Sequence, residues 1–563
     1  MKKKFSAVMS LALTVALLTT GCFSGGTDKK GEQSQGEKPS TEQAGTDKGT
    51  TDGASTGDKI LYTNNSSEPG SLDPALAQGT HESWILDHTF EGLMKKDQDG
   101  NLVEGMAASY ELADDDVTYT FKLRDDIKWS NGEPVTAHDF EFSWKRVLEP
   151  ELASTYAYQL YYLKNGEAYN TDKATADDVG VRALDDLTLE VVLESPAPYF
   201  VELTCFYTLF PVNKAVVEGN PDWANKPETF VSNGPFKLDT WNHKENVLVT
   251  KNENYYNVAE IKLDGIDFAI LEDVNTAWQK YQASEFDFLY PLPQTVVADL
   301  QAKNDPELVI GDDLSVYYYN LNTNIKPFNN PKVRKAMAMS IDRQIITDKV
   351  AQGGETPAYG IVPPGIPNED GDDYNETQGH YFEEDVEAAK ALLAEGLAEE
   401  GMAAADVKAS ILYNTSEAHK KIAQVVQEMW RNNLGIDIGL ENVEFQVKLD
   451  REKAGDYDIS RAGWVGDYVD PMTFVDLFMS DGPYNDSKFN MKEYDDYINL
   501  AKSTADQKVR FDAMRAAEQL FMDNLSVVPI YFYTKPYAQK THLTGVYKIV
   551  NREPSFIYSD LNK

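Results

Sequence analysis

Apolar and polar residues alternate along several short stretches of the chain, and this alternation predicts β-strands. The clearest stretch has apolar side chains at every second position: Val117, Tyr119, Phe121 and Leu123. A period of two is expected of a strand with one buried face. Similar runs occupy residues 188–193, 247–251 and 266–271. We therefore expect strands at these four places.

Elsewhere, apolar residues recur three and four positions apart, which predicts helices. One helix is expected to begin after Thr136, a favourable N-cap, and to end before Pro150. Two more are predicted over residues 416–434 and 384–395, because each apolar stripe is followed by a glycine. Since strands and helices are mixed without strict alternation, the chain is expected to be α/β or α+β with several lobes.

The first residues have the features of a targeting signal. Three lysines precede an apolar run over residues 5–18, which is shorter than the roughly 20 apolar residues that a membrane span needs. A small residue directly before Cys22 resembles the bacterial lipobox, in which the cysteine is acylated. We expect residues 1–21 to be a lipoprotein signal peptide and Cys22 to be its lipidation site. An ordinary cleaved signal with an incidental cysteine is the alternative.

A polar segment follows this signal. Residues 23–58 contain no Val, Ile, Leu, Met, Trp or Tyr. Such a segment cannot bury enough apolar surface to offset the entropy that ordering would cost. We expect residues 22–58 to be a flexible linker with a span of roughly 30–35 Å. The folded body is then expected to begin near Asp58.

Composition narrows the classes of function. The 563 residues include 52 Lys and Arg against 92 Asp and Glu, which gives a formal charge of −40. Nucleic-acid binding needs a surplus of cations, so we expect no nucleic-acid partner. With two cysteines and seven scattered histidines, no metal site and no disulfide framework is expected. The usual catalytic and nucleotide-binding motifs are missing, so we expect neither an enzyme nor a cofactor.

A strand-like segment that ends in a loop over residues 456–471 carries the best candidate chemistry. Arg461, Trp464 and Asp467 lie at its end, where α/β proteins tend to bind ligands. A carboxylate beside an indole ring can hold an ammonium group, because the ring excludes water and strengthens the charge pairing. The alternative is a solvated loop acid next to a tryptophan of the core.

Three other residues are weaker candidates. If Ser416 caps its helix, His419 lies at the third helical position, near free backbone N–H groups that could receive a carboxylate. An exposed histidine at a helix start is the alternative. Tyr318 lies in a strand-like run and Tyr290 follows another, and both have core packing as their alternative.

Several blocks together resemble one family, the extracytoplasmic oligopeptide-binding proteins of ABC importers, within solute-binding protein family 5, the peptide- and nickel-binding group. The likeness extends from about residue 60 to residue 558. The blocks that carry it are SLDP at 71–74, FEGL at 90–93, WSNGEPVTAHDF at 129–140, SNGPF at 232–236 and PFNNPKVRKA at 327–336.

This resemblance assigns roles to the loop. Asp467 matches the aspartate that grips the α-ammonium of a peptide, and Trp464 matches the wall beside a peptide side chain. The backbone of Ala462 and Gly463 would pair with the peptide as an added strand.

The resemblance also implies that Arg461 and His419 receive a peptide carboxylate, and that Tyr290 and Tyr318 line the cleft. Two departures from the family pattern, Glu452 and Gln78, leave open the preferred peptide length and the docking of the peptide carboxylate.

The family fold is α/β: a two-lobed periplasmic-binding-protein type II fold with an extra domain, which encloses the ligand between the lobes. By analogy, residues 59–90, 205–314 and 535–563 form the core of lobe one. Residues 91–204 form the extra domain of lobe one, and residues 315–534 form lobe two.

The function implied is a receptor, lipid-anchored through Cys22 on the extracytoplasmic face of the cell membrane of a Gram-positive type cell. It would act as a monomer, capture short peptides and deliver them to an ABC permease and ATPase complex. The alternatives are a peptide sensor without import, a dipeptide- or nickel-binding relative, and a secreted hydrolase.

Overall fold

The computed structural model describes residues 59–563. The expected signal peptide, its Cys22 and the expected linker to residue 58 lie outside the described residues. In the described part, no helix is both long enough and apolar enough to cross a membrane.

Two four-stranded sheets occupy the first half of the described chain. The first is mixed, with only its first two strands parallel, in the order Ile60–Asn64, Gly265–Ala269, Asn246–Lys251 and Phe236–Asn242. The second is antiparallel, in the order Ala107–Leu112, Thr118–Leu123, Thr188–Val192 and Val181–Asp185. The four strands predicted from alternation are therefore confirmed.

A seven-stranded mixed sheet forms the second half. Its main order is Phe288–Leu289, Val527–Gln539, Leu308–Leu321, Ile459–Val465, Ser410–Asn414 and Gly439–Val443, and Thr356–Pro357 pairs with Val527–Gln539. The two long central strands shift register between Asp312 and Val316, so their ladder is interrupted there. Two short hairpin-like pairs are Met94–Lys96 with Leu102–Glu104, and Leu543–Thr544 with Asp560–Leu561.

The predicted helices form, and one of them is longer than expected. Ala137–Val147 begins after the Thr136 cap, and Glu417–Leu434 begins after Ser416 and ends at Gly435. The third, Val386–Glu400, was wrongly expected to end at Gly396 and continues to Gly401.

Gly396 lies inside this helix because the neighbouring helix Pro331–Met339 packs closely there. A Cβ atom at residue 396 would lie 2.8 Å from a methyl carbon of Val333. The glycine therefore serves a close approach between two helices and does not end its own helix.

The other α-helices pack around the sheets. They are Thr80–Thr89, Gly166–Asn170, Phe200–Leu203, Lys214–Gly219, Val274–Gln282, Gln294–Lys303, Pro331–Met339, Arg343–Ile346, Tyr374–Gln378, Phe445–Ala454, Met472–Val475, Lys492–Lys502 and Gln507–Asn524.

Candidate functional site

A cavity of about 470 Å³ lies between segments that are far apart in sequence. One wall comes from residues 78–87, 156 and 206–207, and another from residues 414–421, 445–453, 461–467 and 484–486. All of the predicted site residues lie on its surface: Tyr290, Tyr318, His419, Arg461, Ala462, Gly463, Trp464 and Asp467.

The strand Ile459–Val465 has one open edge on this cavity. One side pairs with Leu308–Leu321 along its whole length. The other side pairs with Ser410–Asn414 only through Ile459 and Ser460. Within residues 59–563, no strand pairs with the outer edge of residues 461–465, so their backbone groups are available to an extended ligand.

The register determines which backbone groups face that edge. Gly466 N–H donates to the Leu314 carbonyl at 2.8 Å, and hydrogen-bonded pairs alternate along an antiparallel ladder. By this alternation, the backbone groups of Ala462 point toward Leu308–Leu321, whereas those of Gly463 point toward the open edge. Gly463 is exposed, and a Cβ atom there would lie 3.1 Å from the Val316 carbonyl oxygen and 3.4 Å from Arg461 Nη2, so a side chain would crowd both.

Asp467 lies just beyond the end of this strand and is 9% exposed. Its carboxylate accepts a hydrogen bond from Gln159 Nε2 at 2.6 Å. Its backbone is fixed on both sides: its N–H donates to Thr473 Oγ1 at 3.0 Å, and Asn551 Nδ2 donates to its carbonyl at 3.0 Å. Among residues 59–563, no cationic side chain forms an ion pair with this carboxylate.

Burial raises the pKa of the Asp467 carboxyl well above its usual value, and the nearby Asp476 raises it further. The hydrogen bond from Gln159 and the positive charge of Arg552 act in the opposite direction. A buried carboxylate without a cation is energetically unfavourable, and a ligand ammonium would supply the missing charge.

Trp464 forms an aromatic wall next to Asp467. Its ring lies 4.9 Å from the Tyr484 ring and 6.4 Å from the Tyr156 ring, measured between centroids. Its indole Nε1 lies 3.4 Å from Thr473 Oγ1, the same hydroxyl that accepts from the Asp467 backbone. Trp464 and the backbone of Asp467 therefore share one hydrogen-bond partner, Thr473.

Arg461 extends along the same face of the sheet as Tyr317. Its guanidinium lies 4.7 Å from the centre of the Tyr317 ring, and its Nη2 donates to the Tyr533 hydroxyl at 2.5 Å. No carboxylate forms an ion pair with it in the part of the chain that the structure describes. The guanidinium is thus a cation on the cavity wall without a negative partner.

His419 lies at the start of its helix, where its backbone N–H donates to Ser416 Oγ at 3.4 Å. Its ring is 5.6 Å from the Tyr317 ring, and its buried Nδ1 has no hydrogen-bond partner among residues 59–563. Burial, then the charges of Arg461 and Lys448, hold the pKa of His419 well below 6.5. The neutral ring can form a hydrogen bond to a carboxylate but contributes no charge.

The two predicted tyrosines are both packed and on the cavity. Tyr318 points to the opposite face of its strand from Tyr317 and contacts Phe478, with 6.1 Å between ring centroids. Tyr290 lies against the side chain of Lys535, whose Nζ is 5.2 Å from its ring centre. Core packing and cleft lining are therefore not alternatives at these positions.

The two departures from the family pattern have partners within the protein. Glu452 is buried and forms an ion pair with Lys448 at 2.5 Å, and Ser460 Oγ donates to it at 2.6 Å. Lys453 Nζ crosses to Gln78 Oε1 at 2.6 Å. Position 452 is thus neutralised by Lys448 rather than left to meet a ligand.

Sequence reasoning missed Gln159, Tyr156 and Tyr484. The first two belong to residues 156–162, YAYQLYY, and this unusual density of tyrosine was the one available signal. Their contacts with the loop at 464–467 join residues about 300 positions apart, which no local pattern reveals.

Comparisons with known proteins identify the family of this chain. Residues 101–486 match the model of the bacterial extracellular solute-binding proteins, family 5 Middle. The oligopeptide-binding protein OppA of Bacillus subtilis is 41% identical over 552 residues, which is 97% of each chain. The structure of Listeria monocytogenes OppA bound to peptide has 32% identity and a TM-score of 0.84, and the match covers 90% of this chain and all of that one.

Two structures of the murein tripeptide binding protein MppA differ in how well they match the present structure. The Escherichia coli structure has 34% identity and a TM-score of 0.82, with 88% of this chain and 96% of that one covered. An unliganded open form, covered to 95%, has a TM-score of only 0.62 at 35% identity. The present structure therefore resembles the first of these two structures more than the unliganded open form.

The comparisons confirm the expected fold, a two-lobed periplasmic-binding-protein type II fold with an extra domain that encloses the ligand between the lobes. They also confirm the family. The chain belongs to the bacterial extracellular solute-binding proteins of family 5, together with the oligopeptide-binding proteins that it resembles.

Proposed function

We propose that this chain is an extracytoplasmic receptor that captures short peptides and delivers them to an ABC permease and ATPase complex. One observation carries the proposal: an open strand edge over residues 461–465 lies between a carboxylate and a guanidinium that both lack a counterion among residues 59–563. Peptides of different sequence share only a backbone, an ammonium and a carboxylate. The cavity offers a partner for each.

The open strand edge over residues 461–465 would bind a peptide backbone without a preference for the sequence of the peptide. A peptide added along residues 461–465 would form main-chain hydrogen bonds with Gly463 and its alternate neighbours. Side chains on the added strand would point alternately toward Trp464 and toward the opposite face.

The two charged groups, Asp467 and Arg461, would set the direction in which a peptide binds and its register along the strand. Asp467 would hold the ammonium in a site that excludes water, where a charge pair is stronger than in solution. Arg461, with His419 beside it, would receive the carboxylate. One chain provides all of these groups, so we propose that the protein acts as a monomer.

We also propose the lobe boundaries expected from the sequence. They are residues 59–90, 205–314 and 535–563 for the core of lobe one, 91–204 for its extra domain and 315–534 for lobe two. The shift between Asp312 and Val316 supports a hinge at the crossing, because an interrupted ladder bends more easily. Lys453, which donates to Gln78 and to Thr155 at 3.1 Å, joins the two sides near the cavity.

The proposal is tested by identifying what the protein holds. Protein purified without denaturant and then unfolded in acid should release short peptides that mass spectrometry identifies. Refolded, ligand-free protein should bind tri- to pentapeptides in isothermal titration. Release of no peptide, together with no heat of binding across a mixed peptide library, would contradict peptide capture.

Membrane attachment through Cys22 is part of the proposal and gives a prediction. Cys22→Ser is expected to move most of the protein from the membrane fraction to the medium, because the acylated sulfur is lost. Immunoblots of cell and medium fractions measure this, with Cys205→Ser as the matched control. Cys205 is buried in the folded body, so its replacement should not change the distribution. An unchanged membrane fraction in the Cys22 variant would contradict lipid anchoring.

Peptide affinity is expected to fall toward acidic pH and to fall again above about pH 8. Binding requires ionised Asp467, whose pKa is raised in the ligand-free protein, so affinity falls as the pH drops through that value. Each unit below it lowers affinity by up to about tenfold. Above about pH 8 the peptide ammonium loses its proton, which also weakens binding. Titrations from pH 4.5 to 9 measure this, and constant affinity between pH 7 and 4.5 would contradict it.

A further inference from the structure

The loop that carries Asp467 is held from across the cavity. Gln159 belongs to the proposed extra domain of lobe one, whereas Asp467 belongs to lobe two. The two side chains meet at 2.6 Å, with Gln159 Nε2 donating to Asp467 Oδ2. Gln159 is 1% exposed, so water does not compete for this contact.

The next residues of the loop are held by the same domain. Tyr468 stacks on Tyr199, with ring centroids 5.0 Å apart and planes at 4°, and its hydroxyl is 3.4 Å from that of Tyr162. The backbone N–H of Val469 donates to Glu202 Oε1 at 3.4 Å. By the proposed boundaries, the extra domain thus contacts three consecutive residues of lobe two, so separation of the lobes would break these contacts.

The amide of Gln159 is suited to orient a carboxylate without neutralising it. A lysine or arginine in its place would supply the charge that a ligand ammonium has to bring. A neutral amide donates one hydrogen bond and leaves the negative charge unpaired. Its Oε1 is buried and has no hydrogen-bond partner within residues 59–563, so the amide is retained at a cost in desolvation.

We propose that Gln159 is a positioning residue for Asp467, which orients the carboxylate toward the peptide ammonium only when the lobes are closed. The inference rests on the proposed function, because it assumes that Asp467 binds the ammonium. Ammonium recognition and lobe closure are then coupled: a ligand that engages Asp467 favours the closed state, and closure completes the ammonium site.

The first test compares two ligands and two proteins by isothermal titration. The ligands are tetra-alanine and its N-acetylated form, and the proteins are wild type and Gln159→Met, which keeps the length of the side chain. We expect the substitution to weaken tetra-alanine about tenfold, equal to about 1.4 kcal/mol, and the acetylated peptide less than twofold. Gln78→Met, which removes another cross-lobe hydrogen bond, should weaken both ligands by the same factor.

A second readout is the pH at which affinity for tetra-alanine falls to half its maximum. The Gln159 amide stabilises ionised Asp467, so its loss should move this midpoint upward by about one pH unit. The other groups facing Asp467 remain in place: Asp476, Arg552, Tyr156, Tyr158, Tyr207 and Tyr484. This readout needs no measurable binding of the acetylated peptide.

The possible results distinguish the role of Asp467 as ammonium anchor from the role of Gln159 as its positioning residue. If wild type binds both ligands equally, Asp467 is not the ammonium anchor and the proposed function fails at that residue. If wild type discriminates but Gln159→Met weakens both ligands equally and leaves the midpoint unchanged, only the positioning role is overturned. Thermal unfolding of each ligand-free variant shows whether it is folded, and Gln159→Leu, which is also apolar and of similar size, replaces Gln159→Met if it is not.

Discussion

Asp467→Asn is expected to weaken the binding of a free-amine tetrapeptide by about 3–5 kcal/mol, or roughly 10²- to 5 × 10³-fold. The replacement keeps the shape of the side chain and its ability to accept from Gln159, but it removes the charge that the ammonium needs. Isothermal titration at pH 7.5 measures the change. The ligand-free variant should unfold at the same temperature as wild type or higher, because the lost carboxylate is buried without a counterion.

Asp486→Asn is the matched control, since Asp486 is another acidic residue on the cavity wall and burial raises its pKa to about 7. It should not reproduce the loss. Wild-type affinity in Asp467→Asn would remove Asp467 from the anchor role. A similar loss in both variants would attribute the effect to the overall potential of the cavity.

Arg461→Met is expected to weaken the binding of peptides with a free carboxylate by about 2–5 kcal/mol, roughly 300-fold at the middle of that range. The methionine keeps the apolar stem against the Tyr317 ring and removes the guanidinium. The same peptide with a C-terminal amide should bind the variant and wild type with nearly equal affinity. Titration of the acid and amide forms of the peptide against both proteins gives the coupling energy between the Arg461 guanidinium and the peptide carboxylate.

Lys421→Met is the control for Arg461→Met. Lys421 also lies on the cavity wall, and its replacement removes the same positive charge. Its effect should be small and equal for the acid and the amide. If Arg461→Met weakens the two forms equally, the guanidinium supports the site without receiving the carboxylate.

The four strands and three helices predicted from periodicity form, because burial leaves a periodic signal in the sequence. Thr118–Leu123 and Glu417–Leu434 each bury one face, and their apolar positions repeat with the period of that face. The end of Val386–Glu400 was not predictable. A glycine that follows an apolar stripe often ends a helix. Only the close approach of Val333 shows that Gly396 is needed inside this helix.

The site was predictable in part, through the loop at 461–467 and its likeness to a family. Residue spacing alone did not show whether Asp467 binds a ligand or is a solvated acid of the loop. Its isolation from cations and its contact with Gln159 depend on segments that meet only in the folded chain. The open edge of residues 461–465 was equally invisible, because it depends on where Ser410–Asn414 stops pairing.

That open edge has a consequence for which molecules can be captured. An unpaired strand edge on a protein surface can recruit strands of other proteins and seed aggregation. Here it faces an interior space of about 470 Å³, which a folded protein or a growing fibril cannot enter. Under the proposed function, the same confinement would favour short, flexible chains over folded proteins at this edge.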